Sequence, residues 1–200
     1  MSVNLLIQGD NIKGLYYLLR ERNLQGKIDL VYIDPPFATG SNFTITEDRA
    51  ATISNSRSGS IAYSDRLTGF EFIEFLRERL LLLRELLSVK GSIYLHIDYK
   101  IGHYVKVMMD EVFGMENFRN DIARVKCNPK NFKRIGYGNV KDMILFYSKT
   151  SRPIESAQQL NRNWIGIDQS EHAIKATVEK LEIIEGDFFT VKLEYEFTKL

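Results

Sequence analysis

Strand-like and helix-like segments alternate along this 200-residue chain, and that alternation limits the folds open to it. A strand, a helix and a further strand in succession call for a parallel crossover, so the chain reads as βα units around a mostly parallel sheet. The strand candidates are VNLLIQ (residues 3–8), IDLVYI (28–33), SIYLHI (92–97), DIARVK (121–126), MILFYS (143–148) and WIGI (164–167). Most are near-continuous apolar runs, the pattern of strands covered on both faces.

The intervening helices show three- and four-residue spacing. Within residues 68–91, Phe72, Leu76, Leu80, Leu83 and Leu87 form one apolar stripe, and Gly91 supplies a stop signal. Residues 101–114 and 170–181 behave alike, with Ser170 placed to cap the second, and another helix starts near Asn11. Residues 38–68 are polar and aperiodic and read as a long loop; residues 126–138 form a basic and aromatic one. The stretch from Glu179 to Glu196 reads as an acidic, solvated tail.

Composition narrows the function classes. A content of 44% apolar and 26% charged residues fits an ordinary globular protein, and a net charge of +1 excludes a polycation. Any nucleic-acid surface must therefore be a local patch. The single cysteine, Cys127, permits no internal disulfide and no cysteine cluster, which suits a reducing cytoplasm. The N-terminus lacks the pattern of an export signal, and LRERLLLLRELL (76–87) is broken by charge before it could span a bilayer, so no membrane role is expected. His96, His103 and His172 have no ligand spacing, and no metal site is expected.

The sharpest chemical signal is DPPF at residues 34–37, directly after the second strand. An acid at the carboxyl end of a buried parallel strand sits where open α/β sheets bind ligands, which makes Asp34 a site candidate. Pro35 and Pro36 each fix φ and remove an N–H, leaving a stiff loop that presents carbonyl acceptors. Between Arg119 and Lys141, Arg124, Lys126, Lys130, Lys133 and Arg134 are among seven basic residues set against one acid, with Phe132 and Tyr137 interleaved. That composition suits phosphate contacts with base stacking.

DPPF resembles the catalytic motif Asp/Asn/Ser-Pro-Pro-Tyr/Phe/Trp of the amino-methylating DNA methyltransferases, and the flanks resemble their β-group. Upstream, LLIQGDNIKGLYYLL (5–19) is similar to the group's Gly-Asp segment; downstream, GSIYLHIDYKIGHYVKVMMDEVFGMENFRNDI (91–122) and KDMILFYSK (141–149) match the stretches after the catalytic motif. ESAQQLNRNWIGIDQSEHAI (155–174) resembles part of the cofactor half. The resemblance implies a Rossmann-like, S-adenosylmethionine-dependent α/β methyltransferase, with a mostly parallel sheet, helices on both faces, and the catalytic half placed before the cofactor half.

It also implies roles. Asp34 and the Pro35 carbonyl would hold the two hydrogens of the exocyclic amine of a base flipped from double-stranded DNA, Phe37 would stack on that base, and Pro36 would stiffen the turn. Asp168 would accept from the cofactor's ribose hydroxyls, and Asp10 would lie by its adenine, cap the helix that follows, or do both. Aspartate in the first motif position leans to adenine N6, with cytosine N4 as the alternative. The resemblance leaves room for a restriction endonuclease partner and for a homodimer.

Two family features are absent from the sequence: the glycine-rich loop and, between LFYSK (145–149) and that loop, the DNA target-recognition region, since KTSRPI runs directly into ESAQQL. The glycine-rich loop expected before Glu155 is missing, and Gly136-Tyr137-Gly138 does not replace it, since it precedes a strand. The expectation is a single domain over 1–200, with 1–150 the catalytic half, 155–181 the remainder of the cofactor half, and a segment lacking at 154/155. The other-class alternative is an inactive DNA-binding remnant.

Overall fold

The computed structural model describes residues 4–35, 42–45, 60–64, 69–126, 140–151, 165–185 and 195–200. In chain order the elements are β1 (Asn4–Gln8), α1 (Asn11–Arg20), β2 (Ile28–Ile33), β3 (Asn42–Ile45), β4 (Ser60–Ser64), α2 (Phe70–Leu86), β5 (Leu87–Ile97), α3 (Tyr99–Phe113), β6 (Phe118–Val125), β7 (Lys141–Ser148), β8 (Ile165–Asp168), α4 (Glu171–Glu185) and β9 (Tyr195–Lys199). They fall into two compact units, one of Met1–Asn23, Gly40–Arg66 and Gln158–Leu200, the other of Leu24–Thr39 and Leu67–Ala157.

The first unit holds a parallel three-stranded sheet in the order β8-β1-β9. Leu5, Leu6 and Ile7 are buried in its central strand. Gly9 ends that strand with its N–H donating to the Asp168 carbonyl at 3.0 Å. A Cβ at Gly9 would lie 2.7 Å from the Leu200 carbonyl oxygen, so the crowding requires glycine there.

The second unit holds a four-stranded sheet in the order β2-β5-β7-β6. β2 and β5 are parallel, whereas β7 runs antiparallel to both β5 and β6. Alternation divides β5: Ile93, Leu95 and Ile97 enter a core with Phe72, Leu76 and Leu80 of α2 and Val105, Met108 and Met109 of α3. Full burial of each such side chain contributes roughly 1.5–3 kcal/mol. Ser92, Tyr94 and His96 therefore occupy the opposite face, where Tyr94 stacks on Phe146 with ring centroids 4.4 Å apart.

Three sequence expectations are corrected. α2 ends at Leu86 rather than near Gly91, because Leu87 already pairs with Ile28 as the first residue of β5. Gly91 lies inside that strand, and a Cβ there would come within 2.8 Å of the Ile28 carbonyl, so it permits close strand approach instead of stopping a helix. The supposed loop at 38–68 contains the antiparallel pair β3 and β4, and the stretch read as a solvated tail, 179–196, continues α4 to Glu185 and ends in the first two residues of β9. In each case a short apolar-polar alternation, as in Phe43-Thr44-Ile45 and Tyr195-Glu196-Phe197, lies inside an otherwise polar stretch.

Candidate active site

Asp34 and Pro35 directly follow β2 at its carboxyl end. The Ile33–Leu95 pairing carries Asp34 alongside His96 on β5. Its Oδ1 lies 3.0 Å from His96 Nδ1, while the Asp34 side chain stays 55% exposed and so accessible to a ligand. Tyr32, two residues earlier, shares this face; desolvation raises its phenol pKa, and the nearby Asp34 carboxylate adds to the rise while Arg124 opposes it.

His96 connects this acid to a second one. Its Nε2 lies 3.5 Å from Oδ2 of Asp142, a carboxylate buried near the start of β7. Lys126 Nζ meets Asp142 Oδ1 at 2.6 Å, and Arg124 Nη1 meets Oδ2 at 3.2 Å. The Arg124–Asp142 pairing of β6 with β7 fixes the second contact by register. Asp98, whose side chain accepts from the Lys100 N–H at the start of α3, stands 3.9 Å from Lys126.

Arg124 and Lys126, expected to contact DNA phosphates, are thus ion-paired within the fold. Arg124 nevertheless remains more than half exposed. Pro36, Phe37, Lys130, Lys133 and Arg134 lie outside the described residues. Sequence reading missed His96 and Asp142 as site components. The available signal was alternation: in SIYLHI every second residue is aliphatic, and the histidine stands on the other face, level with the acid that ends the neighbouring strand.

In the other unit, the expected cofactor residues end adjacent parallel strands. β1 pairs with β8 through Gln8 and Asp168, and Asp10 follows two residues on. Asp10 caps α1, its Oδ1 accepting from Ile12 N at 3.0 Å and Lys13 N at 3.4 Å. Asp168 Oδ1 accepts from the Ser170 N–H at 2.7 Å, and the Ser170 hydroxyl accepts from Ala173 N at the start of α4, as expected of a cap. Desolvation raises the Asp168 carboxyl pKa, partly offset by the Ser170 hydrogen bond.

A family model of N6/N4 DNA methylases matches residues 28–156, more than half of the chain. The chain belongs to the DNA methylase family. This methylase is 40% identical over 151 residues to the type II methyltransferase M.EcaI of Enterobacter cloacae, covering 76% of this chain and 30% of that protein. It is 29% identical over 183 residues to the type III restriction-modification enzyme EcoPI Mod subunit of Escherichia phage P1, covering 85% of this chain and 27% of that protein. The chain thus spans less than a third of the length of these curated relatives.

The crystal structure of an M1.HpyAVI–SAM complex superposes with a TM-score of 0.55 at 13% identity, covering 89% of this methylase and all of that chain. That likeness shows the Rossmann-like α/β fold expected from the sequence. Among the described residues, no group of histidine, cysteine and acids could hold a metal ion, and no helix is long and apolar enough to cross a membrane.

Proposed function

We propose that this methylase is the catalytic part of a site-specific DNA methyltransferase that transfers a methyl group from S-adenosylmethionine to the N6 amine of adenine. The observation that carries the reading is the Asp34 carboxylate, accessible at the end of a parallel strand and held from behind by His96. An adenine amine is a weak nucleophile because its lone pair is delocalised into the ring. Asp34 and the Pro35 carbonyl, by accepting its two hydrogens, favour the pyramidal form whose lone pair can be aimed at a methyl donor. The chain's contribution is positioning and electrostatics, with Phe37 stacking on a flipped base.

S-adenosylmethionine supplies a methyl group bound to a sulfonium, an electrophile needing no metal activation. Asp168 suits its ribose end: one oxygen is fixed by Ser170, and the partly desolvated carboxylate gains from further donors such as two hydroxyls. Asp10 is engaged as a helix cap, and any contact with the cofactor's adenine is additional. The methionine end needs the glycine-rich loop that the sequence lacks. We place that loop and a DNA-recognition region in a segment at 154/155, between a catalytic half at 1–150 and the rest of the cofactor half at 155–181.

Arg124, whose side chain is more than half exposed, and the basic stretch containing Lys126, Lys130, Lys133 and Arg134 would contact phosphates of the DNA. Cytosine N4 is the second reading, since the matching family model covers both N6 and N4 enzymes. The Mod relative, a subunit of a restriction-modification enzyme, supports a restriction endonuclease partner. The test is transfer of labelled methyl from S-adenosylmethionine to DNA by the protein from its natural reading frame. Transfer lost on Asp34→Ala supports the reading; salt-sensitive DNA binding without cofactor binding or transfer supports an inactive remnant.

A further inference from the structure

Resting on that reading of Asp34, we propose that His96 is a positioning residue: it holds the Asp34 carboxylate ready for the amine, with its ring packed against the buried Asp142. The sheet itself builds the arrangement. His96 faces away from the aliphatic core of β5, Asp34 follows β2 alongside it, and Asp142 and Arg124 are paired across β7 and β6 on the same face. Four neighbouring strands or their ends each contribute one polar group to a continuous row.

Chemistry gives the row a direction. An ionised carboxylate can only accept, so the 3.0 Å approach to Asp34 Oδ1 assigns a proton to His96 Nδ1. This occupies Oδ1 and leaves Oδ2 to receive an amine hydrogen. The His96 side chain is 7% exposed and cannot swing aside easily, and its far nitrogen rests against Asp142, whose position is set by Lys126 and Arg124. A short, half-exposed acid following a strand would otherwise sample several rotamers. The histidine selects one of them before substrate arrives, the kind of pre-positioning on which oriented catalysis depends.

Two amide variants separate this role from packing. His96→Asn keeps a donor near the Nδ1 position, whereas His96→Gln keeps one near Nε2; both fill much of the imidazole volume. In methyl transfer by the full-length protein, H96Q should lose roughly 100-fold in kcat with little change in KM for DNA, and H96N should stay within roughly 10-fold of the unmutated enzyme. An independent readout needs no transfer. The chain has three histidines, so the His96 ring nitrogens can be assigned by nitrogen-15 NMR from the signals lost in H96Q. Nδ1 should carry the proton, and Asp34→Asn should shift the His96 ring signals while those of His103 and His172 stay in place. Equal rates for the two amide variants, or a His96 ring unmoved by Asp34→Asn, would overturn the role while leaving the methyltransferase reading intact. No transfer by the unmutated full-length protein would overturn that reading and the role with it, even where the ring shift shows that the contact exists.

Discussion

Replacing Asp142 by asparagine tests whether the polar row is held by a buried charge. Asp142 is 2% exposed, with Lys126 Nζ at 2.6 Å and Arg124 Nη1 at 3.2 Å. A hydrogen bond to a charged group contributes about 1.5–3 kcal/mol when sheltered. The Arg124 side chain is 56% exposed, so solvent screening reduces its share to about 0–1 kcal/mol; Lys126, at 32%, retains more. The neutral amide also recovers part of the carboxylate's desolvation cost. The expected loss is therefore about 1–2 kcal/mol. With an unfolding entropy near 2.1 cal/mol/K per residue, a chain of this length should lose about 2–5 °C in Tm. Thermal unfolding followed by circular dichroism, in low salt and in about 0.5 M salt, measures the loss and its screening. An unchanged Tm, or a loss that vanishes in high salt, would show that Asp142 behaves as a surface ion pair and would refute the reasoning.

Other perturbations have signs set by the fold. Asp168→Asn should leave Tm unchanged or raise it at neutral pH. Because desolvation raises the native carboxyl pKa, the native state favours the protonated acid, and stability falls as pH rises from the unfolded value through the folded one. The same variant should weaken S-adenosylmethionine binding by the full-length protein, which calorimetry would measure; a lower Tm at neutral pH than at about pH 4, relative to the unmutated protein, would contradict the sign. Tyr147 is fully buried and donates to Asp110 Oδ1 at 2.6 Å, and burial, reinforced by that acid, raises its phenol pKa. Tyr147→Phe should cost about 1–2 kcal/mol near neutrality, because Asp110 keeps its Lys106 partner at 2.7 Å. The unmutated protein favours the protonated phenol when folded, so its advantage should shrink as pH rises above about 10, and an advantage that grows there in denaturant titrations would contradict the assignment.

Much of the architecture was legible because the central strands are long apolar runs. IDLVYI corresponds to β2 residue for residue, and the other main strand candidates overlap observed strands. The short strands β3, β4 and β9 escaped because their alternation lasts only a few residues and is overlaid by polar neighbours. Asp34 could be read locally, since its meaning lies in a four-residue motif and a preceding strand. The roles of His96 and Asp142 could not, because they arise from contacts across β2, β5 and β7, and strand order is not written in any one segment. Arg124 and Lys126 show the converse: their charge was evident, but their shared acidic partner emerged only when β6 was paired with β7.

The most direct test of the central claim is nucleoside analysis of DNA incubated with S-adenosylmethionine and the protein expressed from its natural reading frame. Digestion and mass spectrometry should reveal N6-methyldeoxyadenosine, and the product should disappear with Asp34→Ala. Methylation confined to cytosine N4 would contradict the adenine assignment; transfer that survives Asp34→Ala would contradict the account of the site itself.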